Sequence, residues 1–206
     1  MLEILIIVPL IGSFLLLFIN KNNKKLIRLT SLWTSLITFF LSVILWLSYD
    51  YFSPKLQFIT NVFWLESLNM SFCLGIDSIS LLFIVLTTFI FPLCILSSWS
   101  NIKRNFKEYM ITFLIMESFL LLVFCLLDLL LFYVFFESIL IPMFLIVGIW
   151  GSRSRKIRAS YMLFFYTLFG SIFMLLAILI LFLDTGTTDY QLLLVSDISP
   201  FKQKLL

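Results

Sequence analysis

Runs of Leu, Ile, Phe and Val long enough to cross a bilayer dominate this chain, and short polar or basic stretches separate them. A helix needs about 20 apolar residues to cross a hydrocarbon layer of about 30 Å. Six stretches qualify: Ile4–Ile19, Leu26–Leu47, Ile76–Leu96, Tyr109–Leu127, Leu129–Ile149 and Tyr161–Leu183. The first is short and holds Pro9, so a tilt or a slight extension at each end is expected. Between the second and third spans, residues 48–75 carry Pro54, Lys55, Gln57, Asn61, Glu66 and Asn69 among Trp64 and several Phe. The alternation Lys55-Leu56-Gln57-Phe58-Ile59-Thr60 predicts an extended strand or hairpin at the membrane interface. Gly75-Ile76-Asp77-Ser78 reads as a helix start, with Asp77 or Ser78 near the N-cap. The expected fold is an all-α integral membrane protein of about six transmembrane helices. It divides into a three-helix segment with its interfacial loop (1–100) and the fourth to sixth helices with a polar C-terminal tail (101–206).

Composition supports that class. The chain has 206 residues, is 62% hydrophobic and has a mean hydropathy of +1.15. A water-soluble core cannot use so many apolar side chains, whereas lipid solvates them. The high Phe content also hints at an AT-rich coding genome, as in organelles. The first ten residues lack the basic start and small-residue cleavage site of a signal peptide and carry Glu3 instead, so this segment reads as a retained helix. Eleven of the fourteen Lys and Arg fall into three clusters: Lys21, Lys24, Lys25 and Arg28; Lys103, Arg104 and Lys107; Arg153, Arg155, Lys156 and Arg158. With six spans, all three emerge on one side, which the positive-inside rule assigns to a bacterial cytoplasm or a mitochondrial matrix. Both termini then lie opposite. Clusters this short beside spans are topology signals, so lipid is the expected partner and nucleic acid is not.

Histidine is absent, and Cys73, Cys94 and Cys125 have no nearby cysteine partner. No metal, haem or iron–sulfur ligand set is expected, nor a glycine-rich phosphate loop, so this chain is expected to carry no cofactor and no redox or nucleotide chemistry.

The candidate chemistry lies within the spans. Glu137 interrupts the apolar run Leu129-Leu130-Leu131-Phe132-Tyr133-Val134-Phe135-Phe136-Glu137-Ser138-Ile139. An intramembrane carboxylate is costly and ordinarily faces a bundle interior or a wet cavity. Its readings are a packing hydrogen bond or the movement of ions or protons. Glu117 lies mid-span in the preceding helix. The two spans turn near Asp128, so both carboxylates fall about 15 Å below the turn on antiparallel neighbours. If their faces meet, they share a proton, with Glu137 as relay and Glu117 as its candidate relay partner. Pro142 denies the Ser138 carbonyl its helical donor, marking either an irregular site or an ordinary kink. Pro92 reads only as a kink. Thr167, Gly170 and Ser171 read first as a close-packing surface. Asp184, Asp189 and Asp197 are expected beyond the spans, in solvent.

These motifs together resemble a known family. Gly75-Ile76-Asp77-Ser78-Ile79-Ser80-Leu81-Leu82-Phe83, Phe132-Tyr133-Val134-Phe135-Phe136-Glu137, Ile141-Pro142-Met143, Gly148-Ile149-Trp150-Gly151-Ser152-Arg153 and the segment Phe165 to Leu175 are similar to the antiporter-like subunits of respiratory complex I. Within them they resemble the NADH dehydrogenase subunit 4 group. The Gly-Ile-Asp motif is shared with multi-subunit cation antiporters; the Phe-Phe-Glu to Trp-Gly block is more specific. The resemblance implies a non-redox, proton-translocating component of the membrane arm of NADH:ubiquinone oxidoreductase, in the mitochondrial inner membrane or alternatively a bacterial plasma membrane. Other complex I membrane-arm subunits are its implied partners. Glu137 matches the family's fifth-helix glutamate, which is thought to pair with a lysine on a broken seventh helix. No family role carries over to Glu117.

The family's full subunit has about fourteen spans in two inverted five-helix repeats. This chain stops where the seventh helix would begin, so it matches the N-terminal part of the antiporter-like fold with a truncated first repeat. Lys202 and Lys204 precede that helix and are not the channel lysine. The expectation is a split subunit completed by a second chain; an incomplete piece is the other reading, and neither half pumps alone. The alternatives in function are a structural scaffold of the membrane arm and a subunit of a multi-subunit sodium/proton antiporter.

Overall fold

The computed structural model describes residues 1–53, 55–65, 70–102 and 104–196. Its elements are α1 (Leu2–Phe18), α2 (Lys24–Leu47), β1 (Gln57–Leu65), β2 (Met70–Ile76), α3 (Ser78–Asn101), α4 (Phe106–Cys125), α5 (Leu129–Trp150), α6 (Lys156–Thr185) and the short α7 (Tyr190–Val195). Among the described residues, five helices are long and apolar enough to span a bilayer. The 17-residue α1 is the shorter sixth, about 25 Å long at 1.5 Å per residue. The expected hairpin is present, β1 pairing antiparallel with β2. Ile76 ends β2 rather than opening a span, and Asp77 caps α3 by accepting from the Ser78 amide at 2.7 Å. Pro54, Glu66, Asn69, Asp197, Lys202, Lys204 and the remaining polar tail lie outside the described residues.

The helices place polarity inward. The buried stripe of α2 is Ile27, Ser31, Ser35, Thr38, Ser42 and Leu45, while Leu29, Trp33, Ile37, Phe40 and Ile44 face out. That is the reverse of a helix on a soluble protein, and it suits a lipid surround. Each buried hydroxyl lies within hydrogen-bond distance of the carbonyl three residues earlier, at 2.7–3.1 Å. Gly12 allows α1 to approach α2 closely: a Cβ there would sit 2.6 Å from the Thr34 methyl.

Helix α4 is the hub, packing against α1, α2, α3 and α5. Its apolar window is 56% buried, against 17% for α5 and 11% for α6, which packs on α5 at the edge of the bundle. Helix α6 ends on Gly186, whose left-handed conformation (φ +72°) closes the helix and frees the chain to turn.

The three basic clusters, Lys103 aside because it lies outside the described residues, meet on one face, as expected. Lys21 pairs with Glu108. Lys107 donates to the Leu17 and Ile19 carbonyls (2.8 and 2.7 Å) at the end of α1. Arg28 donates to the Trp99 carbonyl at the end of α3 while lying over the Trp99 and Phe106 rings. Lys156 donates to the Ile149 carbonyl at the end of α5. A helix C-terminus leaves carbonyls without partners and concentrates negative dipole charge, and a cation satisfies both demands. The basic residues therefore also hold the ends of α1, α3 and α5.

Candidate functional site

The α4–α5 turn is tied down on the opposite face. Leu127 donates from its amide to the Cys73 carbonyl (3.0 Å) and accepts from the Tyr190 amide (2.9 Å), joining β2 to the start of α7. Asp128, only 3% exposed, accepts from the Leu130 and Leu131 amides (2.9 and 3.0 Å) through one oxygen and from Thr188 Oγ1 (2.6 Å) through the other. It caps α5 and latches the α6–α7 connection in one stroke. Hydropathy alone places the turn at Asp128 but gives no sign of this latch. Asp189 is the N-cap of α7, accepting from the Gln191 amide, and Asp184 is exposed within the last turn of α6 rather than beyond it. Burial pushes the Cys73 thiol up, with the Asp189 and Asp128 carboxylates adding to the shift, so it is a poor thiolate. Among the described residues no three Cys, Asp or Glu side chains gather as a metal site.

From that anchored start, Glu137 lies about 12 Å along α5, and Glu117 lies about 12 Å before the end of α4. The equal depth expected from the sequence holds. Their meeting does not. The rings of Phe119 on α4 and Phe135 on α5 meet at 6.0 Å, tilted by 56°, and Ile139 and Met143 pack on the same side. Glu117 is two residues from Phe119, and Glu137 two from Phe135, a rotation of about 200° on each helix. Both carboxylates therefore turn away from the α4–α5 seam. Glu117 is fully buried, its Oε1 2.8 Å from Thr38 Oγ1 on α2. Glu137 is half-buried and accepts from the hydroxyl of Ser171 on α6. No hydrogen bond joins them among the described residues, which corrects the expected shared-proton pair.

Ser171, expected first as a packing residue, is thus the contact of Glu137. Gly170 beside it is exposed, with open space where a Cβ would stand, so no helix approaches it among the described residues. The usable signal was spacing: Thr167 and Ser171 share one helix face at mid-span, the depth of Glu137. Near Pro142, Ser138 donates its hydroxyl to the Val134 carbonyl (2.7 Å), and a cleft of about 200 Å3 opens between α4 and α5, lined by Thr112, Phe119, Ser138 and Pro142.

A half-buried carboxylate held by one hydroxyl at mid-membrane can accept and return a proton, and α5 and α6 leave room beside it for further groups. Comparison with known proteins agrees with this architecture. The family described as NADH-ubiquinone oxidoreductase chain 4, amino terminus, matches residues 1–127, and the one described as NADH:quinone oxidoreductase/Mrp antiporter, TM, matches residues 126–203. NADH-ubiquinone oxidoreductase chain 4 of Arabidopsis thaliana is 55% identical over 202 residues, covering 98% of this chain and 41% of the relative. That of Marchantia polymorpha is 54% identical with the same coverage. In the solved respiratory complex I from Thermus thermophilus with bound NADH, one chain superposes with a TM-score of 0.82 at 28% identity, covering 97% of this chain and 40% of that one. The chain spans about two fifths of the length of these relatives. With more than half its residues matched by the first of those models, over the hairpin and the first four helices, the chain belongs to the NADH-ubiquinone oxidoreductase chain 4 family.

Proposed function

We propose that this chain is a non-redox, proton-conducting component of the membrane arm of NADH:ubiquinone oxidoreductase. It is a multi-pass protein of the mitochondrial inner membrane, with its basic face in the matrix, and it works beside other membrane-arm subunits. The observation that carries the reading is Glu137: a carboxylate at mid-span, bound by Ser171, on the two helices with the most uncovered surface. A charged group is retained in lipid where it pairs with another group or lines a wet path. The second half of that environment is supplied by helices beyond these 206 residues, whether on a second chain or a continuation, and they bring the lysine that the family resemblance implies. Ser171 orients one Glu137 oxygen, leaving the other for the arriving cation or water. The chain itself contributes no electron carrier; quinone reduction elsewhere in the complex drives the cycle.

The test is Glu137→Gln in the assembled complex, reconstituted in vesicles. Proton uptake coupled to quinone reduction falls roughly 10-fold or more, the range expected when a proton-transfer group is removed, while the complex still assembles. Unchanged pumping rejects the proposal. A loss confined to assembly supports the scaffold reading instead. Co-purification with NADH-oxidising subunits excludes the sodium/proton antiporter reading, which shares the second matching family description.

A further inference from the structure

Glu117 poses a separate problem. It is 0% exposed, Oε1 has Thr38 Oγ1 at 2.8 Å, and Oε2 has no hydrogen-bond partner. Thr38 Oγ1 also lies 2.8 Å from the Ser35 carbonyl oxygen. A hydroxyl has one proton and cannot donate to both oxygens. Two arrangements fit. In the first, Thr38 donates to an ionised Glu117, which then keeps a full charge with one hydrogen bond and one bare oxygen. In the second, Thr38 donates to the Ser35 carbonyl, and Glu117 carries a proton on Oε1 that it donates to Thr38 Oγ1.

The surroundings select the second. Four helices pack on α4, and none brings a cation to this depth. The one charged side chain of α1 is Glu3, and those of α2 are Lys24, Lys25 and Arg28, at its basic end. Helix α3 has no charged side chain, only Cys94 among titratable groups. Helix α5 offers Tyr133 and Glu137, the latter turned to Ser171. On α4 itself Lys107 and Glu108 belong to the first turn, and Tyr109 and Cys125 stand two or more turns away. The hydroxyls around the site are otherwise engaged: Ser118 with the Leu114 carbonyl at 3.2 Å, and Ser42 with Thr88 at 2.7 Å. An enclosed anion without a countercharge or a full set of donors is strongly disfavoured. A neutral carboxyl leaves only a carbonyl oxygen unpaired at Oε2, a far smaller loss.

We propose that Glu117 and Thr38 form a second proton-binding site, on the opposite side of α4 from the Glu137 face. Glu117 holds the proton on Oε1, Thr38 receives that hydrogen bond, and the Ser35 carbonyl receives the Thr38 proton. This site does not depend on what Glu137 does.

Infrared difference spectroscopy of the intact complex reads it directly. The wild-type minus Glu117→Gln spectrum shows loss of a free-acid carbonyl band that shifts in D2O. Thr38→Val moves that band to higher frequency, and Thr38→Ser returns it. Loss of carboxylate bands in place of the free-acid band overturns the proposal, and so does a free-acid band that ignores Thr38→Val. If Glu117→Gln prevents assembly, the Thr38→Val minus Thr38→Ser spectrum retains Glu117 and decides the matter in the same way, a shifted free acid for the proposal or a shifted carboxylate against it. The band persists in Glu137→Gln, so failure here and failure of the Glu137 role are told apart.

Discussion

Asp128 and Glu137 stand at the start and near the middle of α5, and their surroundings give one a structural task and suit the other to the chemical one proposed for it. Asp128 has both oxygens occupied by donors fixed in the fold. Asp128→Ala removes the α5 cap and strands the Thr188 hydroxyl, at a cost of roughly 2–4 kcal/mol. Thr188→Val removes one bond and keeps the cap, at roughly 1–2 kcal/mol. Thermal midpoints of the solubilised protein should therefore rank wild type above Thr188→Val above Asp128→Ala, and an inverted order would refute the latch. Glu137 instead has only its Oε1 hydrogen-bonded, to Ser171, among the described residues. Ser171→Ala should slow proton uptake several-fold without lowering the melting midpoint, and Ser171→Thr should restore it; equal behaviour of the two variants would mean that the hydroxyl has no part in it. The depth of both membrane carboxylates was readable from the sequence because helical rise is constant. The partner of Glu137 was signalled only by the spacing of Thr167 and Ser171, and that of Glu117 was not signalled at all. Helix α4 has four neighbours, and nothing in Ile115-Met116-Glu117-Ser118-Phe119 says which of them Glu117 meets.

Helices in this protein outrun their apolar stretches. The apolar run of α6 extends from Tyr161 to Leu183, whereas the helix runs from Lys156 to Thr185. Hydropathy marks where lipid begins, but a helix continues until its end groups find other donors and acceptors. At the ends of α1, α3 and α5 those donors are basic residues of the clusters that also mark topology. The number of spans and the single basic face were legible because both follow from hydropathy and charge alone. The end-capping was hidden, since it needs the end of one helix beside the start of another. The two roles separate by substitution. Lys107→Met and Arg28→Met remove donors from the ends of α1 and α3 and should each lower stability by about 0.5–1 kcal/mol. Arg158→Met, at an exposed position with no hydrogen bond or ion pair among the described residues, removes the same charge and should leave stability within about 0.5 kcal/mol. Denaturation of the three variants in one detergent checks this; equal losses would show that only the net charge of the face matters.

At the scale of the molecule, the bundle is asymmetric. Helices α1 to α4 enclose a shared interior, with Leu121, Leu122 and Cys125 of α4 against Leu2, Leu5 and Leu81. Helix α6 leaves Phe165, Tyr166, Phe169 and Phe173 outside, Tyr166 at 84% and Phe169 at 66% exposure. Apolar exposure alone fits lipid as well as it fits a neighbouring helix. Helix α5 has an exposed stretch of its own, with Val134 at 45% and Ile141 at 60% exposure one turn to either side of Glu137. The carboxylate decides what covers that face, because an ionisable group is not left to bare hydrocarbon. If helices from beyond this segment complete that environment, this face of α5 lies against protein in the assembled complex. A photoreactive phenylalanine analogue at position 141 should then cross-link to polypeptide, whereas the same probe at Phe40, on the outward face of α2, reports a reference surface far from Glu137. Protein adducts at 141 that disappear when the complex is dissociated, together with retained proton uptake before irradiation, would place the missing neighbours of Glu137 there. Lipid adducts alone at 141 would leave that carboxylate without company on this side and would remove the physical basis for the proton-transfer role proposed for it.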